Sequence, residues 1–189
     1  YISPQMAGAV RNYVKNGGRL IASGITSLYN SDMMRRENFG LADLFGVDFE
    51  STSPYSICYI DDFKKISDGI RDQTILISDA YHPAIRTAAR EGSEILAIQT
   101  DPALEHKPYR HVHHGHAHPA AATDFPAVVI NKYGQGLCVY ISVSAESSFF
   151  EKASPWIRYM YRNCIRLINP YPRLIVEGDP SADVSLHEK

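Results

Sequence analysis

The stretch from Ser3 to Ser23 constrains the fold more than any other. Ser3-Pro4 sets a side-chain cap before a proline at the first helical position, and Met6, Val10, Tyr13 and Val14 recur at helical spacing until Gly17-Gly18 ends the run. The spacing predicts a helix over 4–16. The run RLIAS, residues 19–23, follows at once; short, apolar and bounded by glycines, it reads as a strand buried on both faces of a parallel sheet. Helix, tight turn and buried strand make half of an α/β unit. A parallel strand is reached by a crossover, so a strand is expected before such a helix, and only Tyr1-Ile2 stand there. The chain is therefore expected to begin inside its own domain, without the N-terminal strands.

Residues 24–38 lack periodicity and read as a loop at the strand's carboxyl end, followed by a short helix over 39–45 with Gly46 as its C-cap. Residues 55–60 and 74–78 read as strands. Residues 85–97 have helical propensity in their Ala and Arg, but Glu91-Gly92 in the middle favours a hairpin of two strands. Residues 127–131 and 137–142 are β-rich and are joined through Tyr133-Gly134-Gln135-Gly136, a second hairpin signal; LCVYIS is expected to be central. Ser154-Pro155 repeats the cap-and-proline start, and Trp156, Ile157, Met160, Cys164, Ile165 and Ile168 trace one apolar face of a last helix, to about Leu167. From Asn169 the composition shifts to Pro, Gly and Asp, with 183–187 alternating like the first strand of a further unit.

At 189 residues and 44% apolar composition, one core is expected over 1–168, with 169–189 as linker and first strand of a following β-domain. The formal charge of −2 provides no basic excess for phosphates, so neither nucleic acid nor an anionic membrane is an expected partner. No apolar run is long enough to span a bilayer. Cys58, Cys138 and Cys164 are scattered singly and read as buried core thiols, which leaves the compartment open.

Three stretches together resemble a known family: SPQMAGAVRNYVKNGGRLIASGITSLYN, FGLADLFGV and HPAAATDFPAVVINKYGQGLCVYIS. They are similar to the middle domain of beta-galactosidases of glycoside hydrolase family 42 and related glycosidases, the beta-galactosidase trimerisation domain, over roughly residues 1–168. That resemblance implies an α/β fold of the flavodoxin-like, class I glutamine amidotransferase-like kind: a three-layer sandwich with a mostly parallel sheet plus antiparallel hairpins. It further implies a catalytic barrel before the domain, a small β-domain after it, self-association as a homotrimer, and catalytic glutamates on the barrel, outside this chain. No cofactor is implied.

Amidotransferase chemistry on this fold needs a cysteine on the sharp turn after residues 19–23, exposed beside backbone N–H donors and paired with a histidine. The turn here reads Gly24-Ile25-Thr26-Ser27, and no cysteine lies nearer than Cys58. Ser23, Thr26 or Ser27 could stand in, but the Gly-x-Ser-x-Gly spacing of a nucleophile elbow is missing. Retaining glycoside hydrolysis needs two carboxylates about 5 Å apart. Asp61-Asp62, adjacent on a strand, would point to opposite faces, and Asp43, Asp48 and Glu50 surround a helix end where capping and solvation account for them.

Five histidines, His111, His113, His114, His116 and His118, fall close together. At alternate positions of an extended segment His114, His116 and His118 could share a metal, but a Gly- and Ala-containing loop supplies little fixed geometry, and no bound metal is expected. A loop leaning over a neighbouring barrel's sugar site is a further reading that the resemblance allows. Tyr81-His82-Pro83 and the set Trp156, Tyr159 and Tyr161 could form a sugar-stacking platform, although aromatics at helical spacing more often pack cores and interfaces. Two functions result: a non-catalytic oligomerisation domain of a larger glycosidase, or a free-standing small-molecule hydrolase or metal- or ligand-binding domain using the His-rich loop or the Thr26-Ser27 turn.

Overall fold

The computed structural model describes residues 1–70, 74–78, 82–103, 117–171, 185 and 187. Helix α1, Pro4–Lys15, starts where the Ser3 hydroxyl accepts from the Met6 N–H at 3.2 Å, and Val14 on its inner face is fully buried. Gly17, at φ 102°, takes a left-handed conformation that turns the chain into β1, Arg19–Ser23. A short helix α2, Ala42–Phe45, ends on Gly46 in the left-handed region, at φ 72°. Strands β2 (Val47–Thr52), β3 (Ile57–Asp61), β4 (Ile75–Ser78), β5 (Ile85–Ala89), β6 (Glu94–Pro102), β7 (Pro119–Tyr133) and β8 (Gly136–Ile141) follow. Helices α3, Ala145–Lys152, and α4, Pro155–Ile168, complete the described elements.

The strands form a six-stranded sheet of order β1-β8-β7-β6-β3-β4 and a separate pair, β2-β5. Only β1 and β8 run parallel; every other described pairing is antiparallel. The sheet is therefore mixed, where a mostly parallel one was expected. Its two faces are covered by different layers. Val139 and Ile141 of β8 join a core with Ile157, Met160 and Cys164 of α4. Cys138 and Tyr140, alternating with them, join a core with Val14 of α1, Leu44 and Phe45 of α2, Val47 of β2 and Ile85 of β5. Each fully buried large side chain in these cores contributes about 1.5–3 kcal/mol.

The expected hairpin β7-β8 forms, with Tyr133 opposite Gly136. Gly136 sits so close beneath α1 that a Cβ there would overlap the carbonyl oxygens of Val14 and Gly18, which explains the second glycine of this turn. Residues 85–97 do hold two strands and a turn, with Gly92 at φ 83°. They do not pair with each other. β5 pairs with β2, whereas β6 lies between β7 and β3 in the large sheet. The turn redirects the chain between sheets, and Arg90, which binds Asp48 of β2 from Nε at 3.0 Å, fixes its exit. β1 also departs from expectation: it is an edge strand, with Ala22 its one buried residue.

Candidate functional site

The turn after β1 holds the hydroxyls that stand where a nucleophile of this fold would be. Gly24, at φ 53°, donates its N–H to Ile141 O at 2.9 Å and accepts at its carbonyl from Tyr140 Oη at 2.7 Å. Thr26 folds back on β1, its Oγ1 donating to Ser23 O at 2.7 Å. Ser27 takes a left-handed φ of 66°, and its Oγ, in a side chain 2% exposed, accepts from the Leu41 N–H at 3.2 Å. A non-glycine residue held there costs about 1–2 kcal/mol, which the surrounding bonds offset. Thr26 and Ser27 brace the turn, and among the described residues neither hydroxyl is bonded to a histidine or a carboxylate that would activate it.

Of the histidine cluster, His114 and His116 lie outside the described residues, as do His111 and His113. His118 is exposed, and its carbonyl accepts from the Ala103 N–H at 2.7 Å where β6 ends and β7 begins. Among the described residues no group of three metal-ligating side chains gathers.

A buried polar network was not anticipated. Arg86 of β5, 3% exposed, donates from Nη1 to Gln99 Oε1 at 2.8 Å and from Nη2 to Ser53 Oγ at 3.3 Å, and it pairs with Asp101. Its guanidinium lies 4.7 Å from the ring centre of Phe125. Gln99 donates in turn to Ile85 O at 2.8 Å and Ser142 Oγ at 2.7 Å. The signal was an arginine in the apolar run IRTAA, and a glutamine and an aspartate two positions apart in β6. Arginine is permanently charged and offers no base, and burial pushes the nearby Cys58 thiol up to about 12. The network thus ties the β2-β5 pair to the large sheet, with Asp101, its side chain 29% exposed, carrying the countercharge towards water.

The carboxylates singled out in the sequence are held singly. Asp43 takes Arg11 Nε at 2.9 Å and Nη2 at 2.7 Å, and Asp48 takes Arg90. Burial works to raise the Asp43 pKa, but the Arg11 bonds overcome it and hold the carboxyl below its ordinary value; for Asp48 the Arg90 bond is the largest cause of a lowered value. Asp61 accepts from Thr74 Oγ1 at 3.1 Å, and Asp62, at φ 52°, lies 3.8 Å from Lys64 Nζ.

The aromatic set divides. Trp156 and Tyr159 pack on the core with ring centres 6.0 Å apart, and Arg162 covers Tyr159 at 4.7 Å. Tyr161 instead lines a groove of about 690 Å³ between α3 and α4, with Phe149, Phe150, Ile157 and Ile165. Its Oη is buried and faces Glu146; burial first, then the Glu146 carboxylate, push that phenol's pKa up. Tyr81 lies outside the described residues, and His82 is exposed.

No protein-family model and no curated protein matches the sequence. Solved structures do match the fold. An alpha-L-fucosidase from Paenibacillus thiaminolyticus superposes with a TM-score of 0.70 at 18% identity, over 89% of this chain and 23% of that one. A GH42 beta-galactosidase from G. stearothermophilus gives 0.60 at 18% identity, over 93% and 21%. The chain shares its fold with part of several glycoside hydrolases. A cytoplasmic protein from Salmonella typhimurium LT2 gives 0.58 at 15% identity, over 87% of this chain and 61% of that protein. The chain thus spans about a fifth of the glycosidases' length.

Proposed function

We propose that this chain is a non-catalytic structural and oligomerisation domain of a larger glycoside hydrolase of the beta-galactosidase type. The observation that carries the reading is the match of nearly the whole chain to about a fifth of such enzymes. It is supported by the turn after β1, where Thr26 and Ser27 brace the backbone and no cysteine stands, and by the separate engagement of the candidate carboxylates. On this reading residues 1–168 are an amidotransferase-like, trimerisation-type α/β domain, incomplete at its N-terminus, and 169–189 are the linker and first strand of a following β-domain. Its partners are a catalytic barrel in the same polypeptide and further copies of itself, three by the resemblance, with no nucleic acid or membrane.

The test is activity of the chain alone on aryl galactosides and on glutamine, beside the oligomeric state of the full gene product by sedimentation equilibrium. No turnover and an associating full-length enzyme are expected. Turnover lost on Ser27→Ala or His118→Ala would transfer the reading to a free-standing hydrolase, and a full-length monomer at micromolar concentration would remove the oligomerisation role.

A further inference from the structure

Two unlike apolar features lie on opposite faces of the large sheet. The first is a knob. Between Tyr29 and Arg35, which form an antiparallel bridge, the chain makes a short loop carrying Met33 and Met34, 63% and 66% exposed. The loop is held in shape from within: Asn30 Oδ1 accepts from the N–H of Asp32 at 3.0 Å and of Met34 at 2.8 Å, and the Asn30 N–H donates to Met34 O at 3.0 Å. Its base is fastened by the Arg36 N–H on Leu28 O, at 2.8 Å, and by Arg35 over the ring of Phe49, 4.8 Å from its centre. Met33 sits at φ 61°, where its side chain is strained and glycine or asparagine would not be. Two side chains left in water add no packing to a single chain, and backbone strain of this kind gathers at binding positions.

The second feature is a hole. The groove of about 690 Å³ between α3 and α4 is walled by Phe149, Phe150, Ile157, Tyr161 and Ile165, with Phe150 93% and Ile165 50% exposed. Arg158 also lines it. Neither Arg158 nor Asp32, beside the knob, has an ion-pair partner among the described residues. Leu28, at the foot of the loop, belongs to the core shared with Val14 and Phe45 on one face of the sheet. Ile157 of the groove belongs to the core with Met160 on the other face. The sheet stands between knob and hole, and each is left exposed by its own chain.

We propose that the Met33-Met34 loop of one copy inserts into the α3/α4 groove of the next copy, with Asp32 set against Arg158. Methionine is unbranched and polarizable and packs well on aromatic rings in an irregular groove. The loop's shape is fixed beforehand, which lowers the ordering cost of the contact. Groove against groove would instead set two rims lined by Arg158, Arg162 and Arg166 face to face, like charge against like. Because knob and hole are different patches, the contact runs head to tail, the kind that closes into a ring when the rotation permits. Two methionines bury too little to make a whole interface of about 800 Å² per partner, so they are its anchor. The inference rests on the reading above that the domain self-associates, and it names the surfaces that do so.

Cross-linking of the full-length gene product tests the contact at positions exposed enough to accept cysteine. Met34→Cys protein mixed with Phe150→Cys protein and treated with a short bismaleimide is expected to give a linked pair of chains that neither variant gives alone; Cys58, Cys138 and Cys164 are buried. In sedimentation equilibrium, Met33→Asp with Met34→Asp should raise the dissociation constant of the assembly at least tenfold, and so should Arg158→Glu. Adding Asp32→Arg to Arg158→Glu should recover most of that loss, a rescue that general damage would not show. An absent mixed cross-link, with assembly unchanged in the variants, overturns the contact and leaves the oligomerisation reading intact. Linked chains from Phe150→Cys protein alone assign the groove to a symmetric pairing and also overturn it. A full-length protein that stays monomeric at micromolar concentration removes both readings together.

Discussion

Tyr140 and Gly24 are joined across the parallel pair: the phenol near the carboxyl end of β8 donates to the Gly24 carbonyl at 2.7 Å, where the chain leaves β1. The ring is fully buried and stacks on Phe45, with centres 5.0 Å apart and planes 18° apart. Burial pushes the phenol's pKa up, so it remains a donor throughout the working pH range.

Tyr140→Phe keeps the ring and removes only that donor, leaving a carbonyl short of a partner. A loss of about 1–3 kcal/mol is expected. Urea denaturation should show a lower midpoint with an unchanged slope; an unchanged midpoint would mean that the Gly24 carbonyl finds another donor.

Arg86→Met should be far more damaging than its surface counterparts. It leaves Asp101 unpaired and removes donors from Gln99 and Ser53 within the interior, at a cost of about 3–5 kcal/mol. Arg86→Lys should recover little, because an ammonium lacks the planar fork that reaches all three partners. Equal stability of the lysine variant and the wild type, by thermal or chemical unfolding, would refute this role.

Acid should weaken the fold through Asp43 and Asp48. Both carboxyls have lowered pKa values when folded, so their contribution is present above the ordinary carboxylate value of about 4 and is lost as the pH falls through their folded values below it. Over that window the unfolded chain binds more protons, and stability rises with pH. Asp48→Asn should flatten this dependence, and an identical acid limb in the variant would count against the Arg90 pairing as its source.

The thiols should be inert in the native state. Cys58, Cys138 and Cys164 are all buried, and burial pushes each up to about 12. An aromatic disulfide reagent at pH 8 should titrate no thiol in the folded protein and all three in denaturant; one fast-reacting thiol before unfolding would show that a core opens locally.

The parts legible in the sequence are those set over a few consecutive residues. Ser3-Pro4, Gly17-Gly18, Gly46, Gly92 and Ser154-Pro155 each act on local dihedrals or on end groups of a helix, and the turns and helix starts they mark are where they should be. The β-rich run LCVYIS was likewise expected to be central, and β8 lies between β1 and β7 with side chains buried on both faces. Strand β2 and helix α3 went unread. VDFEST carries polar residues along an exposed end, and the buried positions of AESSFFEK are Ala145 and Ser148, which give no apolar stripe, while its two phenylalanines face out.

What the tertiary structure decided is which segments meet. Glu91-Gly92 specified a turn, but a turn does not name the partners of the strands it joins. β5 and β6 separate: β5 pairs with β2, some forty residues earlier at Val47↔Ala89, and β6 lies between β7 and β3. Arg86 meets Ser53, 33 residues away, and Asp101, 15 residues away, and no local pattern records that distance. Caps, prolines and glycines are paid for within one turn of backbone, so the sequence alone determines them; strand order, direction and the pairing of a buried charge depend on contacts between residues remote in the chain, whose free energy exists only once the layers have closed.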